Sequence, residues 1–320
     1  MIHQPRIIEL RNYLNTVIVG QKDLLDKLVI GLLAGGHILV EGLPGLAKTT
    51  AVKTLAAGVH AGFRRIQFTP DLLPGDLTGS DIYNPQEGSF CFVEGPLFHE
   101  IILADEINRA PAKVQSALLE AMQEHQITVG GVTRPLPPLF MVMATQNPLE
   151  QAGTYPLPEA QLDRFMLHVV LDYPDADEEF EILKRDRQRL VVGDHNETQA
   201  VVTVAEVLAA REEVQHIHID AMLERYIVTL VGATREIGKW LPEFAGCIEV
   251  GASPRASLAI AHAAAANAYL QGREFVTPDD IHDVAVDCMR HRIISSFTAR
   301  MQKVSRDAML RKLLQAVPVP

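Results

Sequence analysis

Residues 42–50 have the sequence Gly-Leu-Pro-Gly-Leu-Ala-Lys-Thr-Thr, between an apolar run at 37–40 and a segment of helical composition at 51–56. The apolar run predicts a short buried strand that leads into a glycine-rich turn. Glycines let successive backbone N–H groups converge on one point, and the N-terminus of the following helix adds its positive dipole end. This layout predicts a phosphate-binding P-loop, in which Lys48 contacts the β- and γ-phosphates of a nucleotide and Thr49 ligates Mg²⁺.

One position of this loop departs from the usual P-loop pattern, which has a glycine immediately before the lysine. Ala47 stands there, and its methyl group fits if the residue has already entered the helix with a negative φ. A glycine-rich turn without a ligand is the alternative to a nucleotide site. The loop residues assigned to nucleotide binding are Gly42, Pro44, Gly45, Leu46, Ala47, Lys48, Thr49 and Thr50.

Two carboxylates follow a further apolar run, at residues 101–104. In open α/β sheets, ligands bind at the carboxyl edge of the strands, where Asp105 and Glu106 are expected. Asp105, with Thr49, would hold Mg²⁺ there, and Glu106 would orient or deprotonate the attacking water. The alternative is a helix-start signal, because acidic residues favour helix N-termini. The P-loop upstream favours the catalytic interpretation.

Three other segments supply candidates for nucleotide contacts. The apolar patch that ends at Val19-Gly20 either covers an adenine ring or forms a plain loop into the next helix. Asn147 follows an apolar run at 140–145, which predicts a strand beside the P-loop strand; its amide either holds the attacking water or forms an Asn-Pro turn. Arg164 ends a predicted helix at 158–165, where it either caps carbonyl groups or reaches a neighbouring subunit's nucleotide.

Helical composition prevails in the second half of the chain. We expect residues 1–190 to form an α/β domain with a linker helix, and residues 191–320 to form a small helical domain. Ser253 is expected to be a helix N-cap with Pro254 at the first helical position. This places Arg255 in the first turn, able to face a phosphate group.

Hairpin signals occur at two places in the α/β part. Turn residues at 84–88 separate two short strand-like segments, and Gly130-Gly131 does the same further along the chain. Phe90 and Phe92 of the first hairpin are expected to be exposed. They either pack on each other or contact a substrate in a central pore.

The composition is that of an acidic globular protein. Hydrophobic residues occupy 48% of the 320 positions, and the formal net charge is −11. An acidic chain gives no electrostatic support for sequence-independent binding to nucleic acid. The three cysteines form no C-x-x-C pair, which indicates a reducing compartment. With no apolar leader and no apolar run near the ~20 residues of a membrane span, we expect a cytoplasmic protein.

The order and spacing of these motifs resemble those of the AAA+ ATPases. In that family the loop at 42–49 corresponds to Walker A, Asp105-Glu106 to Walker B, Asn147 to sensor 1, Arg164 to the arginine finger and Arg255 to sensor 2. The segments GLPGLAKT, LADEINRA, ATQNP, PEAQLDRF and GASPRA are similar to the MoxR subfamily, which also carries alanine at the position of Ala47. The two hairpins match its helix-2 insert and its pre-sensor-1 insert.

The resemblance implies an α/β P-loop fold of the AAA+ type, with a parallel sheet, hairpin insertions and a small all-α lid domain. MoxR-like proteins form ring oligomers, usually hexamers, with ATP and Mg²⁺ at the subunit interfaces. They act as chaperone-like remodellers of client complexes, often with a partner that bears a von Willebrand factor A domain. Three function classes follow: such a remodeller, a motor subunit of a magnesium-chelatase-like metal insertion complex, and a nucleic-acid motor, which the acidic charge disfavours.

Overall fold

The computed structural model describes residues 1–86, 88–148, 153–192 and 200–320, without the side chains of residues 189–192. The strands of the first half are β1 (Ile38–Glu41), β2 (Phe63–Gln67), β3 (Gly79–Asn84), β4 (Ser89–Glu94), β5 (Ile101–Asp105), β6 (Gln126–Val129), β7 (Val132–Pro135), β8 (Met141–Gln146) and β9 (Leu167–Val170). Among the described residues, a five-stranded sheet has the order β2-β5-β8-β1-β9, and all its neighbouring strands are parallel. The expected parallel α/β core is confirmed.

Helices cover both faces of this sheet. They are α1 (Gln4–Val17), α2 (Lys22–Ala34), α3 (Lys48–Gly58), α4 (Pro74–Thr78), α5 (Ala112–Glu124), α6 (Glu159–Leu162) and α7 (Ala176–Val192). Successive strand residues point to opposite faces, so Ile38 and Val40 of β1 pack with α1, α2 and α3. Leu39 between them packs in a second apolar cluster with residues of α5, such as Leu118 and Met122.

The strand order places three chain segments at one edge of the sheet. β1 pairs with β8, with Glu41 opposite Gln146, and β8 pairs in turn with β5. Because these strands are parallel, their carboxyl ends lie side by side, and ligands of open α/β sheets bind there. The segments that follow β1, β5 and β8 are therefore neighbours in space, which confirms that the strand before Asn147 lies beside the P-loop strand.

The predicted hairpins are confirmed as the antiparallel pairs β3–β4 and β6–β7. Phe90 is exposed, and its ring centroid lies 5.3 Å from that of Tyr83 on the opposite strand. The expectation that Phe92 is also exposed is wrong. Its half-buried ring packs edge-on against Phe98, and the Arg134 guanidinium of β7 lies 3.7 Å above it. Arg134 thus joins the two hairpins.

The second half of the chain is helical, as expected. It contains α8 (Val204–Gln215), α9 (Ala221–Ala233), α10 (Ile237–Trp240), α11 (Pro254–Leu270), α12 (Pro278–Met289), α13 (Phe297–Met301) and α14 (Arg306–Ala316), with the short strands β10 (Ile248–Val250) and β11 (Ile294–Ser295). We call this part the lid. In the described part of the chain, no helix is long and apolar enough to cross a membrane.

The lid packs directly on the α/β part, with α11 against α2 and α12 against β9. Leu28 of α2 belongs to the same continuous apolar cluster as Ile260 and Tyr269 of α11. The division into domains at residues 190 and 191 stays a prediction. That boundary falls within the last turn of α7, and the residues that follow, 193–199, lie outside the described residues.

Candidate active site

The loop at 42–47 connects β1 to α3 and carries two residues with positive φ. Gly45 has φ +87°, which glycine adopts without strain. Ala47 has φ +54° and is the N-cap residue of α3, so the expectation that it has already entered the helix with a negative φ is wrong. The chain still has to turn at this residue, since the helix begins only at Lys48. The left-handed conformation costs an L-residue about 1–2 kcal/mol, and Ala47 therefore stores strain next to the predicted phosphate site.

Lys48 is directed back towards the start of its own loop. Its Nζ donates a hydrogen bond to the carbonyl oxygen of Gly42 at 2.7 Å. Burial lowers the pKa of Lys48, whereas the charges of Asp105 and Glu106 act in the opposite direction. The lysine is therefore within electrostatic range of both predicted carboxylates.

Thr145 of β8 bridges these two carboxylate residues. Its hydroxyl donates to Asp105 Oδ1 at 2.6 Å and accepts from the backbone N–H of Glu106 at 2.9 Å. The other oxygen of Asp105 accepts hydrogen bonds from the Arg65 guanidinium of β2, at 2.7 and 3.0 Å. Asp105 is thereby oriented by a residue from the strand on either side of its own.

Glu106 follows β5 in a strained conformation, with φ +58°. A residue in this region costs of order 1–3 kcal/mol and persists only where its surroundings hold it, which is typical of functional sites. Its Oε2 accepts hydrogen bonds from Gln67 Nε2 at 2.8 Å and from Arg109 at 2.9 Å. Together with the bond from its N–H to Thr145, these contacts fix both the backbone and the side chain of Glu106.

The loop, the carboxylates and Asn147 line one cleft of about 430 Å³, which we call the P-loop cleft. Its lining consists of residues 44–50 with Arg65, Asp105, Glu106, Gln146 and Asn147. Gly42 is tied to the same edge, because its N–H donates to the carbonyl oxygen of Gln146 at 3.3 Å. The Thr49 hydroxyl and the Asp105 carboxylate offer the hard oxygen ligands that Mg²⁺ prefers. The residues present therefore fit a nucleotide with Mg²⁺.

Arg164 and Arg255 do not line the P-loop cleft. Both line a separate cleft of about 290 Å³, which we call the arginine cleft. Arg164 donates to the carbonyl oxygen of Leu119 in α5 at 2.7 Å, so it does not cap its own helix. Arg255 lies 3.4 Å from Asp163 Oδ2. Ser253 occupies the N-cap position as expected but makes no capping bond, because its hydroxyl faces Asp163 instead.

The predicted adenine patch lies at a third cleft, between α2, the end of β9 and the lid. Gly20, with φ +75°, is part of its lining, and Val19 beside it is half-buried. Leu171 also lines this cleft and packs over the P-loop, since a Cβ atom on Gly42 would come within 3.0 Å of Leu171 Cβ. The third cleft thus adjoins the P-loop, and the assignment of Val19 and Gly20 to the adenine stays a prediction.

Several residues of these sites were missed by sequence reasoning, among them Thr145, Arg65, Gln67 and Asp163. A signal for Thr145 existed, because it is a hydroxyl residue at the end of an apolar strand and directly precedes Gln146-Asn147. Arg65 and Gln67 alternate along β2 and share a face, but the pairing of β2 with β5 could not be known. Asp163 gave no signal apart from its place next to Arg164.

Comparison with known proteins agrees with this geometry. Residues 37–167 match the model of the ATPase family associated with various cellular activities (AAA), and residues 244–313 match the AAA lid domain. The chain is 44% identical to Chaperone MoxR1 of Mycobacterium tuberculosis, over 95% of this chain and 80% of that protein. It is 42% identical to the uncharacterized protein YeaC of Bacillus subtilis, over 96% and 93% of the two chains. A crystal structure from Cytophaga hutchinsonii has a TM-score of 0.91 and 46% identity, and the match covers 100% of this chain and 96% of that one. The chain therefore belongs to the MoxR family of AAA ATPases.

Proposed function

We propose that the protein binds ATP with Mg²⁺ in the P-loop cleft and hydrolyses its terminal phosphoanhydride bond. The observation that carries this proposal is the convergence of Lys48, Asp105, Glu106 and Asn147 on one cleft. The parallel strand order brings the ends of three strands together, and the side chains at that edge are a lysine, two carboxylates and an amide, the set that binding of phosphate and Mg²⁺ requires. Membership of an AAA ATPase family supports the same reaction.

In this proposal each side chain of the cleft has a distinct role. Lys48 binds the β- and γ-phosphates. Thr49 and Asp105 hold Mg²⁺, which when bound neutralises charge on the phosphate oxygens. Glu106 takes a proton from the attacking water, and Asn147 orients that water. Thr145, Gln67 and Arg109 keep the two carboxylates in place.

Glu106→Gln tests this assignment, because glutamine keeps the size of the side chain but cannot accept the proton. We expect it to bind a fluorescent ATP analogue normally and to release phosphate more slowly by ~10²–10⁴. Glu120→Gln, at an exposed position of α5, is the matched control and should keep full activity. Near wild-type turnover of Glu106→Gln would show that another group activates the water.

We further propose that the protein works as a homo-oligomeric ring, most simply a hexamer, with ATP at the subunit interfaces. The position of Arg164 and Arg255 supports this, since both lie in the arginine cleft and not in the P-loop cleft of their own chain. A head-to-tail ring would bring the arginine cleft of one subunit to the P-loop cleft of the next. Both arginines would then complete a neighbour's site.

A mixture of two inactive variants tests the shared site. Arg164→Ala spoils the arginine cleft and Glu106→Gln spoils the P-loop cleft, so each variant alone should be nearly inactive. In rings formed from equal amounts of both, about a quarter of the interfaces would combine two intact halves. ATPase activity should therefore reappear once subunit exchange has been demonstrated. Activity that stays at the level of the separate variants would exclude a role for Arg164 in trans.

We propose that the ring remodels client protein complexes in the cytoplasm, together with a partner that bears a von Willebrand factor A domain. The relative that is named a chaperone supports this class of activity. So do the exposed side chains of Tyr83 and Phe90 on the first hairpin, because exposed apolar groups suit contact with another chain. Glu106→Gln should bind ATP without hydrolysing it, so in the presence of ATP it should retain client proteins in a pull-down. Lys48→Ala, which should not bind ATP, should not retain them. Recovery of metal-insertion subunits would favour the chelatase motor instead.

A further inference from the structure

A single carboxylate, that of Asp163, joins the segment of Arg164 to the lid. Its Oδ1 accepts a hydrogen bond from Arg292 Nε at 2.7 Å, and its Oδ2 lies 3.4 Å from Arg255. The hydroxyl of Ser253 lies 3.3 and 3.4 Å from the two oxygens. One side chain of the α/β part thus contacts two parts of the lid, namely Arg292 between α12 and β11, and the start of α11.

Arg292 is the buried member of this group, with a side chain that is 3% exposed. Besides Asp163, its guanidinium donates to the backbone carbonyl oxygens of Phe165 at 2.7 Å and of Met166 at 3.2 Å. Phe165 and Met166 are the two residues that connect Arg164 to the first residue of β9. A charge this deeply buried is costly when its partner is removed, so the contact holds the segment against the lid.

Two of these contacts bear on the arginines of the arginine cleft. Arg164 is the next residue after Asp163, so whatever fixes Asp163 also fixes the start of the Arg164 side chain. Arg255 reaches Asp163 from the first turn of α11, and its side chain is 53% exposed. Without that carboxylate, Arg255 would be a long, mobile cation at the mouth of the cleft.

We propose that Asp163 and Arg292 are positioning residues that hold Arg164 and Arg255 in one fixed arrangement, so that both arginines can meet a neighbour's nucleotide together. Neither positioning residue touches the reacting atoms in this proposal. The inference rests on the proposed function, because it gives Asp163 a purpose only if the arginines act in trans. It adds that one carboxylate, that of Asp163, fixes the position of Arg164 relative to the lid.

Asp163→Asn tests this inference, since asparagine keeps the shape of the side chain but removes its charge. We expect kcat to fall about 10²-fold, the usual cost of a displacement near 1 Å, with little change in the KM for ATP. Asp26→Asn is the matched control. Asp26 has a similar exposure, 22% against 19%, and a similarly short contact of 2.6 Å with Arg11, and it lines neither the P-loop cleft nor the arginine cleft. It should keep full activity.

Mixed rings then assign the defect to one half of the interface. Asp163→Asn leaves the P-loop cleft intact, so mixing it with Glu106→Gln should restore activity. Mixing it with Arg164→Ala should not, because both variants damage the arginine cleft. A variant that merely misfolds would restore activity with neither. Arg292→Lys keeps the charge beside Asp163 but loses the forked contacts, and it should show the same mixing pattern if Asp163→Asn does not fold.

The outcomes separate this inference from the proposed function. If Glu106→Gln and Arg164→Ala fail to restore each other after confirmed exchange, the shared site is absent, and the inference falls with it. If they do restore each other but a folded Asp163→Asn, or Arg292→Lys in its place, restores nothing with Glu106→Gln, only the positioning role is overturned. Wild-type turnover of Asp163→Asn would overturn it as well. The inference is supported if Asp163→Asn restores activity when mixed with Glu106→Gln but not when mixed with Arg164→Ala.

Discussion

Thr145→Val tests whether the Thr145 hydroxyl positions Asp105 and Glu106 for ATP hydrolysis, in addition to stabilising the fold. Valine keeps the volume of threonine, but Asp105 Oδ1 loses a donor at 2.6 Å and the Glu106 N–H loses an acceptor at 2.9 Å. A hydrogen bond to a carboxylate contributes about 1.5–3 kcal/mol, and a buried N–H left without a partner costs about 1–3 kcal/mol. Since Thr145 is 1% exposed, we expect the free energy of unfolding to fall by about 3–4 kcal/mol.

Thr234 offers a matched control in the lid. It is also buried, at 0% exposure, and its hydroxyl likewise makes two hydrogen bonds, donating to the carbonyl oxygen of Val231 at 2.6 Å and accepting from the backbone N–H of Ala252 at 2.9 Å. The acceptor is a neutral carbonyl oxygen, so Thr234→Val should cost somewhat less, about 2 kcal/mol. Both variants should therefore unfold at lower temperature, but only Thr145→Val disturbs Asp105 and Glu106.

The two variants should differ sharply in ATP turnover. A misplacement near 1 Å at a reacting centre costs up to about 10²-fold, so we expect kcat of Thr145→Val to fall by about 10–10². The KM for ATP should change little, because Lys48 and the loop are untouched. Steady-state phosphate release over a range of ATP concentrations, beside thermal unfolding in the same buffer, measures both effects. If Thr145→Val is destabilised yet turns over as fast as Thr234→Val, the hydroxyl does not position the carboxylates.

Three further predictions concern the P-loop strand and its surroundings. Ala47→Gly should raise the free energy of unfolding by about 1 kcal/mol, because glycine tolerates the positive φ; lower stability in chemical unfolding would contradict this. Lys48→Ala should fold normally but lose binding of a fluorescent ATP analogue, and unchanged affinity would reject the P-loop assignment. Burial lowers the pKa of His37 from 6.5 to about 4, so the unfolded chain takes up this proton first as the pH falls. Stability from this group should therefore be present above pH 6.5 and decline by about 3 kcal/mol towards pH 4, a slope that His37→Gln should lack.

Much of the P-loop cleft could be predicted because its parts carry local signals. A buried strand, a glycine-rich turn and Lys48 are contiguous in the chain, and Asp105 and Asn147 each end an apolar run. Parallel strands need crossover connections, and helices lie in them, α3 between β1 and β2 and α5 between β5 and β8. Elements with a clear hydrophobic pattern were therefore predicted with boundaries within a few residues, as for β8, which was expected at 140–145 and lies at Met141–Gln146.

What escaped prediction depends on contacts between distant parts of the chain. Arg65 could be connected to Asp105 only by knowing that β2 pairs with β5. The arginine cleft depends on how α11 of the lid docks near Arg164, and no local pattern encodes that docking. The prediction of a negative φ for Ala47 was wrong for a different reason. The usual preference against positive φ in alanine was overridden by the need to turn the chain before α3.

The packing of the lid bears on how ATP could drive movement. Leu28 of α2 and Ile260 of α11 belong to one apolar cluster, and Lys27 forms a buried ion pair with Asp287 of α12 at 3.1 Å. Exposing a fully buried leucine or isoleucine costs about 1.5–3 kcal/mol, so lifting α11 off α2 would expose several such residues and cost of order 10 kcal/mol. In the proposed ring, the boundary between subunits would lie at the arginine cleft, where Arg255 is half-exposed in the single chain, and movement there would not require breaking this core. We therefore expect each α/β part and its lid to move as one body, and the change between nucleotide states to occur mainly where the arginine cleft meets the next subunit.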